Sequence, residues 1–308
     1  MIRLFPVAAA LLYAVAAAAG GVTIDNGCLR VEFADPAGAL GCRFLRGGWI
    51  AGLYPAEGRE SVFHQRSIFD FHVAFGCPQE IVPELELEPG RALKLGVGVV
   101  VPNPKESALA EPVELLPWRT GFCREPGKMR LTARQSCPDR AGYAYELTVT
   151  VTVEDGSPVI RYEQVLENTG RRRIEAEAYL HPFFRTPGGF ASAWFRLQGR
   201  ERQQVAVAPR RAESGFRPER GPYQVSAGGL AERNCIVAIA ADRPLRRSRF
   251  WRNDSDCFAV EPFIAIDVAP GERQAWSWRV TLLAEEEVRN GRGGDSDGSG
   301  RAVLRNTR

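Results

Sequence analysis

The sequence predicts an all-β protein built as one large antiparallel β-sandwich. The clearest signal is segment 143–153, where Tyr, Leu and Val residues alternate with other residues and so face one side of a strand. Short strand-like segments separated by Gly- and Pro-rich turns continue along the chain. No stretch has a convincing helical period, and frequent Gly and Pro also disfavour helices. Together these observations favour a sandwich of many short strands.

The individual strands follow from the same patterns. Segment 143–153 is followed by the turn sequence Asp-Gly-Ser-Pro at 155–158, after which 159–167 returns as the second strand of a long hairpin. Each further strand is a short run rich in apolar residues and bounded by turn residues. In chain order these strands are expected at 29–33, 48–53, 84–87, 94–101, 129–133, 174–180, 193–197, 203–207, 235–240, 258–266 and 275–283.

Both ends of the chain differ in composition from the expected domain at 21–289. Residues 1–19 combine the basic Arg3 with a run of Ala, Leu and Val, which predicts a secretory signal peptide. An uncleaved membrane anchor ranks second, because the run falls short of the roughly 20 residues that a spanning helix needs. Residues 290–308 are poor in apolar side chains and predict a disordered tail. We therefore expect a periplasmic or secreted protein that leaves the membrane after signal cleavage.

Charge and cysteine content narrow the possible partners. A formal net charge of +3 without a basic patch that includes aromatic residues does not indicate nucleic-acid binding. Without a CxxC pair, and with three histidines, the chain is not expected to bind zinc or another metal. The seven cysteines could form disulfides in an oxidising compartment. Nearest-neighbour pairing, one of several possible arrangements, leaves Cys77 over and joins Cys28–Cys42, Cys123–Cys137 and Cys235–Cys257.

His181 and Glu261 are the candidate catalytic residues. His181 follows the strand 174–180 and precedes Pro182, which favours extended backbone at the histidine. Glu261 lies in the apolar run 257–263, where burial would raise its pKa and make it a better base. A histidine and a carboxylate on neighbouring strands can act as general acid and general base. The structural alternatives are a histidine bonded to backbone groups and a glutamate paired with Arg249 or Arg252.

Other residues near these segments are candidates for substrate binding. Two aromatic side chains after His181, Phe183 and Phe184, would form a wall of the site, and Arg185 would offer hydrogen-bond donors at its rim. His64 and His72 could bind a substrate hydroxyl, and a turn or surface position is equally compatible with each. Gln79, with Glu80, ends a Gly- and Pro-containing loop at 74–80, and such loops often border sites. The six Trp residues could stack on sugars, although Trp276 and Trp278 share one strand face and favour the core.

The order of these motifs resembles the galactose mutarotase-like superfamily, which includes the aldose 1-epimerases. The resemblance covers the C-terminal half best. It rests on Val-Leu-Glu-Asn-Thr-Gly at 165–170, His-Pro-Phe-Phe at 181–184, Val-Glu-Pro at 260–262, Ala-Pro-Gly-Glu at 269–272 and the final Trp-bearing strand. The resemblance implies a supersandwich that binds a small-molecule sugar or glycan on the concave face of one sheet.

The resemblance also implies a reaction that needs no cofactor. Glu261 would remove the proton from the anomeric hydroxyl, and His181 would protonate the ring oxygen, so that the ring opens and recloses as the other anomer. This hypothesis expects a ring-sized gap between the two side chains. The alternative is a non-catalytic carbohydrate-binding or polysaccharide-processing accessory domain, since a fold does not define a function. That alternative expects an arginine to neutralise Glu261, or His181 to be buried away from any cleft.

Overall fold

The computed structural model describes residues 21–69, 73–103, 110–214, 224–231 and 234–284. The expected signal peptide, 1–19, and the expected tail, 290–308, lie outside these residues. Every regular element in the described part is a β-strand, and the strands pair in antiparallel fashion. The prediction of an all-β antiparallel fold is confirmed. The described residues contain no helix that is long and apolar enough to cross a membrane.

The described strands form two sheets of nine strands and one of four. The first sheet has the order β1 (Thr23–Asp25), β2 (Leu29–Phe33), β3 (Leu45–Pro55), β4 (Cys77–Val82), β13 (Ile174–Leu180), β21 (Cys257–Val268), β20 (Arg247–Arg252) and β17 (Arg211–Ser214), and β14 (Phe184–Arg185) also pairs with β21. The second has the order β16 (Gln203–Gln204), β15 (Trp194–Arg196), β18 (Gln224–Leu230), β19 (Cys235–Ala241), β22 (Arg273–Leu283), β12 (Val159–Asn168), β11 (Tyr143–Glu154), β10 (Lys128–Arg140) and β9 (Trp118–Glu125). The small sheet has the order β5 (Leu85–Glu88), β6 (Arg91–Lys94), β7 (Gly98–Val101) and β8 (Glu111–Leu115).

The main hydrophobic core draws on both nine-stranded sheets. In β11 the alternating residues Leu147, Val149 and Val151 are buried, as the period-two pattern predicts. β11 pairs with β12 as the expected hairpin. Trp276 and Trp278 on β22 are buried in the same core, which confirms their structural role. In the first sheet, the residues of β13 and β21 that do not face this core lie on the opposite, outer face of the sheet.

Asn168, at the end of β12, joins two turns that lie far apart in sequence. Its Nδ2 donates to the carbonyl oxygens of Arg172 (2.8 Å) and Val268 (2.9 Å), and its Oδ1 accepts from the backbone of Gly170. Its backbone carbonyl accepts from Gly271, in the turn between β21 and β22. Because Asn168 is fully buried, these bonds hold the start of β13 against the end of β21. The Asn-Thr-Gly and Pro-Gly-Glu motifs of the sequence are therefore one structural unit.

Five strands of the first sheet were not predicted from the sequence, namely β1, β4, β14, β17 and β20. The segment interpreted as a loop at 74–80 contains most of β4, and β20 was not predicted. β4 contains Pro78 and buries both Gln79 and Glu80, and β20 reads Arg-Ser-Arg-Phe-Trp-Arg, so neither shows an apolar alternation. The single strand expected at 94–101 is two strands, β6 and β7, with Gly96 at a φ of 78° between them. Polar residues that are buried against neighbouring side chains obscure the alternation of apolar and polar residues that marks a strand.

The nearest-neighbour arrangement of disulfides is not formed, although all seven cysteines lie among the described residues. In the β9–β10 ladder Cys123 lies opposite Arg130. Cys137 is seven residues further along β10, so it lies about 23 Å from that position along the strand. Cys235 and Cys257 lie in different nine-stranded sheets. Proximity in sequence was a poor guide here because strand register, and not chain separation, sets the distance between thiols.

Adjacent residues of β12 offer a test of the packing. Leu166 is fully buried in the main core, whereas Val165 faces outward and is 36% exposed. Leu166→Ala is expected to lower the free energy of unfolding by about 2–5 kcal/mol, because it removes buried methyl groups and leaves a cavity. Val165→Ala should cost less than about 1 kcal/mol. Urea denaturation of both variants measures the difference, and equal losses would contradict the assigned sidedness of β12.

Candidate functional site

The β13–β21 ladder brings the two candidate catalytic residues together. It pairs Tyr179 with Phe263, and the same register, continued past the end of β13, sets His181 opposite Glu261. His181 Nε2 lies 3.2 Å from Glu261 Oε1. Both residues are buried, with exposures of 4% and 3%. The sequence-predicted pair therefore meets on the outer face of the first sheet.

Aromatic rings fix the orientation of His181. Its imidazole stacks on Phe183, with ring centroids 4.2 Å apart, and meets the edges of Phe44 (5.5 Å) and Trp251 (6.4 Å). Phe183 therefore forms the expected wall. Phe184 does not, because the alternation of side chains along the strand turns it into the main core.

Burial raises the pKa of Glu261 to about 7, since the charged carboxylate loses water that the protein replaces only in part. Arg249, the cross-strand neighbour on β20, lowers this pKa, and its Nη1 lies 3.9 Å from Glu261 Oε2. Arg43 on the other side acts in the same direction. Arg252, the other expected partner, donates instead to the carbonyls of Ala208 and Asn253. The carboxyl group of Glu261 thus changes charge close to neutral pH.

Glu80 is a second buried carboxylate on this face, and both of its oxygens already accept hydrogen bonds from neighbouring side chains. Lys94 Nζ lies 3.0 Å from its Oε1, Arg43 Nε lies 3.1 Å from its Oε2, and the hydroxyl of Tyr179 donates to Oε2. Burial raises the pKa of Glu80, but Lys94 and Arg43 outweigh it and hold the pKa at about 2. Glu80 therefore anchors a structural network beside the site and is not positioned as the sugar ligand that the sequence suggested.

His64 and Arg185 lie beside the candidate pair rather than in contact with it. The backbone of His64 donates to the carbonyl of Phe183, but its Nε2 lies 3.7 Å from Asp256 Oδ2. Burial lowers the pKa of His64, although Asp256 opposes the change. Arg185 Nη1 lies 3.5 Å from Glu60 Oε1. His72 lies outside the described residues.

Gln79 faces away from the site, which corrects its assignment as a substrate-binding residue. It pairs with Leu180 and Leu45, both of which face the main core. Residues directly opposite in a ladder share a face, so Gln79 lies between the two large sheets. The sequence placed Gln79 in a loop, where its side chain could turn to either side. In a strand the alternation leaves it only the core face.

β20 supplies two residues of the site that were not among the substrate-binding residues expected from the sequence. Arg249 lies opposite Glu261, and Trp251, two residues further along the same face, is partly buried against Phe69 and the ring of His181. Each had a signal in the sequence: Arg249 was a possible partner of Glu261, and Trp251 is one of the six Trp residues that could stack on sugars. The candidate site thus comprises His181, Glu261, Arg249 and Trp251, with Phe183 behind the imidazole.

The expected ring-sized gap between His181 and Glu261 is absent, since the two side chains touch. This expectation of the epimerase hypothesis is not met. The anomeric oxygen and the ring oxygen of a sugar are bonded to the same carbon, so the two oxygens lie closer together than two hydrogen-bonded groups. An acid and a base that serve both oxygens therefore need a small separation and not the width of a ring.

The same face continues into an open groove of about 530 Å³. Residues 175–177 of β13, residues 265–267 of β21, Pro83 and Arg246 line it. Its lining includes Glu175, Glu177, Ala265, Asp267 and Arg246. Because Ala265 is four residues from Glu261 on β21, the groove lies about 13 Å along the strand from the candidate pair.

Comparison with solved structures identifies the fold. The chain is similar to a galactose mutarotase related enzyme from Lactobacillus acidophilus, with a TM-score of 0.59, 12% identity and coverage of 86% of this chain and 97% of that one. A galactose mutarotase-like protein from Lactobacillus casei ATCC 334 gives a TM-score of 0.55 at 12% identity, covering 86% and 100% of the two chains. An aldose epimerase homologue from C. elegans gives 0.50 at 10% identity, covering 86% and 99%. No family model and no curated protein matches the sequence. The fold is galactose mutarotase-like, as the sequence motifs predicted.

The raised pKa of Glu261 predicts a pH-dependent contribution to stability. In the folded protein the carboxyl group keeps its proton up to about pH 7, whereas in the unfolded chain it loses it near its ordinary pKa of 4.5. The unfolding free energy of the wild type, relative to Glu261→Gln, should therefore be greatest below pH 4.5. It should fall by about 3 kcal/mol as the pH rises to 7 and then stay level. Urea denaturation across this range tests the prediction, and a pH-independent difference would contradict it.

Proposed function

We propose that this protein is an aldose 1-epimerase-like enzyme that interconverts sugar anomers by acid/base ring opening. The observation that carries the proposal is the contact between His181 Nε2 and Glu261 Oε1 on the outer face of a mutarotase-like sheet. The expected signal peptide supports action on a free sugar in the periplasm or outside the cell. The likeness of the fold to galactose mutarotase-related structures supports a sugar as the ligand.

The proposed reaction needs one proton on the pair. Glu261, ionised, takes the proton of the anomeric hydroxyl, while protonated His181 gives its proton to the ring oxygen. The bond between the anomeric carbon and the ring oxygen breaks, and the sugar becomes an open-chain aldehyde. After the aldehyde group rotates, neutral His181 takes the proton of the attacking hydroxyl and Glu261 returns its own to the carbonyl oxygen. Both groups recover their starting state, and no other reactant is consumed.

The surroundings of the pair suit this chemistry. A base with a pKa of about 7 can both accept and release a proton near neutral pH. The stacked Phe183 keeps the imidazole in one plane, so its proton is aimed at one point. The partly buried indole of Trp251 provides a flat apolar surface for the C–H face of a sugar.

A non-catalytic carbohydrate-binding domain is the second candidate. The low exposure of both His181 and Glu261 favours it, because the alternative expected a histidine buried away from a cleft. The ion pair between Arg249 Nη1 and Glu261 Oε2, 3.9 Å apart, favours it as well, because the alternative also expected an arginine to neutralise the glutamate. The two candidates differ in whether the protein accelerates anomer exchange or only binds sugar.

Anomer exchange tests the proposal directly. NMR exchange spectroscopy or polarimetry on a panel of neutral and acidic sugars should detect catalysis by the wild type above the spontaneous rate. Glu261→Gln and His181→Asn should each lower kcat/KM by about 10²- to 10⁴-fold, because each removes one proton-transfer group. Glu163→Gln, the same change on an exposed position of β12, is the matched control and should retain wild-type activity.

Two outcomes would contradict the proposal. One is exchange at the spontaneous rate for every sugar of the panel, with sugar binding intact, which would establish the non-catalytic alternative. The other is catalysis that survives in both Glu261→Gln and His181→Asn. Circular dichroism of each variant checks that a loss of activity does not reflect a loss of fold.

A further inference from the structure

We propose that Glu80 is a positioning residue, which holds Arg43 beside Glu261 and so keeps that guanidinium group from pairing with the carboxylate of Glu261. This inference rests on the proposed function, in which Glu261 is the base, and it gives the buried network next to the site a role in the reaction. It follows from the hydrogen bonds of Glu80, from the position of Arg43 and from the charges around Glu261.

Glu80 is buried among three donor side chains. In the β4–β13 ladder it lies opposite Tyr179, whose hydroxyl donates to its Oε2. Lys94 Nζ lies 3.0 Å from its Oε1, and Arg43 Nε donates to its Oε2 at 3.1 Å. Glu80 is 1% exposed, and a buried carboxylate that accepts bonds from three side chains has little freedom to move. The carboxylate therefore fixes the donors around it, Arg43 included.

Arg43 lies between the network of Glu80 and the candidate pair. Its guanidinium carbon is 4.6 Å from the centroid of the Phe44 ring, and that ring meets the imidazole of His181 at 5.5 Å. His181 in turn contacts Glu261. Burial by itself lowers the pKa of Arg43, but Glu80 and, less strongly, Glu261 raise it. The guanidinium group thus interacts with both carboxylates, and its hydrogen bond to Glu80 sets its position.

Charged and titratable groups from several parts of the chain surround Glu261, namely His181 of β13, Arg249 and Arg247 of β20, Glu80 of β4 and Arg43, which precedes β3. Burial raises the pKa of Glu261 to about 7, Arg249 and Arg43 lower it, and Glu80 raises it. An arginine at hydrogen-bond distance from a buried carboxylate holds its pKa far lower, as Glu80 itself shows. A guanidinium group released from Glu80 would pair with Glu261 and weaken it as a base.

Glu84 offers a matched comparison within the same network. Its Oε1 lies 2.5 Å from Lys94 Nζ, so Glu84 and Glu80 share the lysine. Of these two carboxylates, Glu80 is the one that binds Arg43 among the described residues. Loss of the charge on Glu84 therefore disturbs Lys94 but leaves the hydrogen bond between Glu80 and Arg43 in place.

The experiment measures the pKa of Glu261 by NMR on protein with isotope-labelled glutamate side chains, with the Glu261 signal assigned by its loss in Glu261→Gln. Glu80→Gln should lower this pKa by about one pH unit or more, because Arg43 then pairs with Glu261. In an Arg43→Met background, the same change should have less than half of that effect. Arg43→Met alone should raise the pKa of Glu261. Glu84→Gln, the matched control, should leave it within about half a pH unit of the wild type.

The pH profile of anomer exchange links this titration to catalysis. On the acidic side of the profile, kcat/KM should rise as Glu261 ionises, so Glu80→Gln should move that limb to lower pH by the amount that NMR measures. A partial loss of folded protein lowers the rate at every pH but does not move the limb.

Three results would overturn this inference while leaving the proposed function intact. These are a pKa of Glu261 that Glu80→Gln does not lower, an equal decrease with and without Arg43, and an equal decrease in Glu84→Gln. If Glu80→Gln does not fold, Arg43→Met decides, and a pKa of Glu261 that this variant does not raise overturns the inference. Absence of catalysis in the wild type, with the expected changes in pKa, would overturn the proposed function and still establish the hold of Glu80 on Arg43.

Discussion

The pairing of β21 with β13 on one side and with β20 on the other is the constraint on which the candidate site depends. Glu261, on the central strand, has His181 and Arg249 as its two lateral neighbours because strand register leaves no other choice. The buried amide of Asn168 holds the far end of the β13–β21 ladder. A slip of one residue would turn Glu261 towards the core and separate the pair.

Two buried carboxylates on one sheet face show how local partners decide chemical behaviour. Glu80 receives hydrogen bonds from Lys94, Arg43 and Tyr179 and has a pKa of about 2. Glu261 has its nearest arginine nitrogen at 3.9 Å and has a pKa of about 7. Desolvation is present at both sites, and the difference lies in cations at hydrogen-bond distance. One carboxylate is thereby suited to structure and the other to proton transfer.

The sequence predicted the sandwich, the β11–β12 hairpin and the His181–Glu261 pair because each depends on local patterns or on the order of short motifs. It did not predict β20, since that strand alternates charged residues with a serine and a phenylalanine and so lacks an apolar stripe. It placed Gln79 in a loop because a buried glutamine breaks the same pattern. It left the disulfide pairing open, because the distance between cysteines depends on strand register.

By itself, the sequence determined which faces of the strands are apolar and that a histidine and a glutamate stand at strand positions able to meet. Side-chain periodicity is a local property of the chain, so the sequence expresses it directly. Only the tertiary structure decided that the two groups touch, that Arg249 and Trp251 join them, and that Gln79 and Phe184 face the core. These features depend on which strands pair side by side, and the paired strands are far apart in the chain, so hydrogen bonding between distant segments determines them.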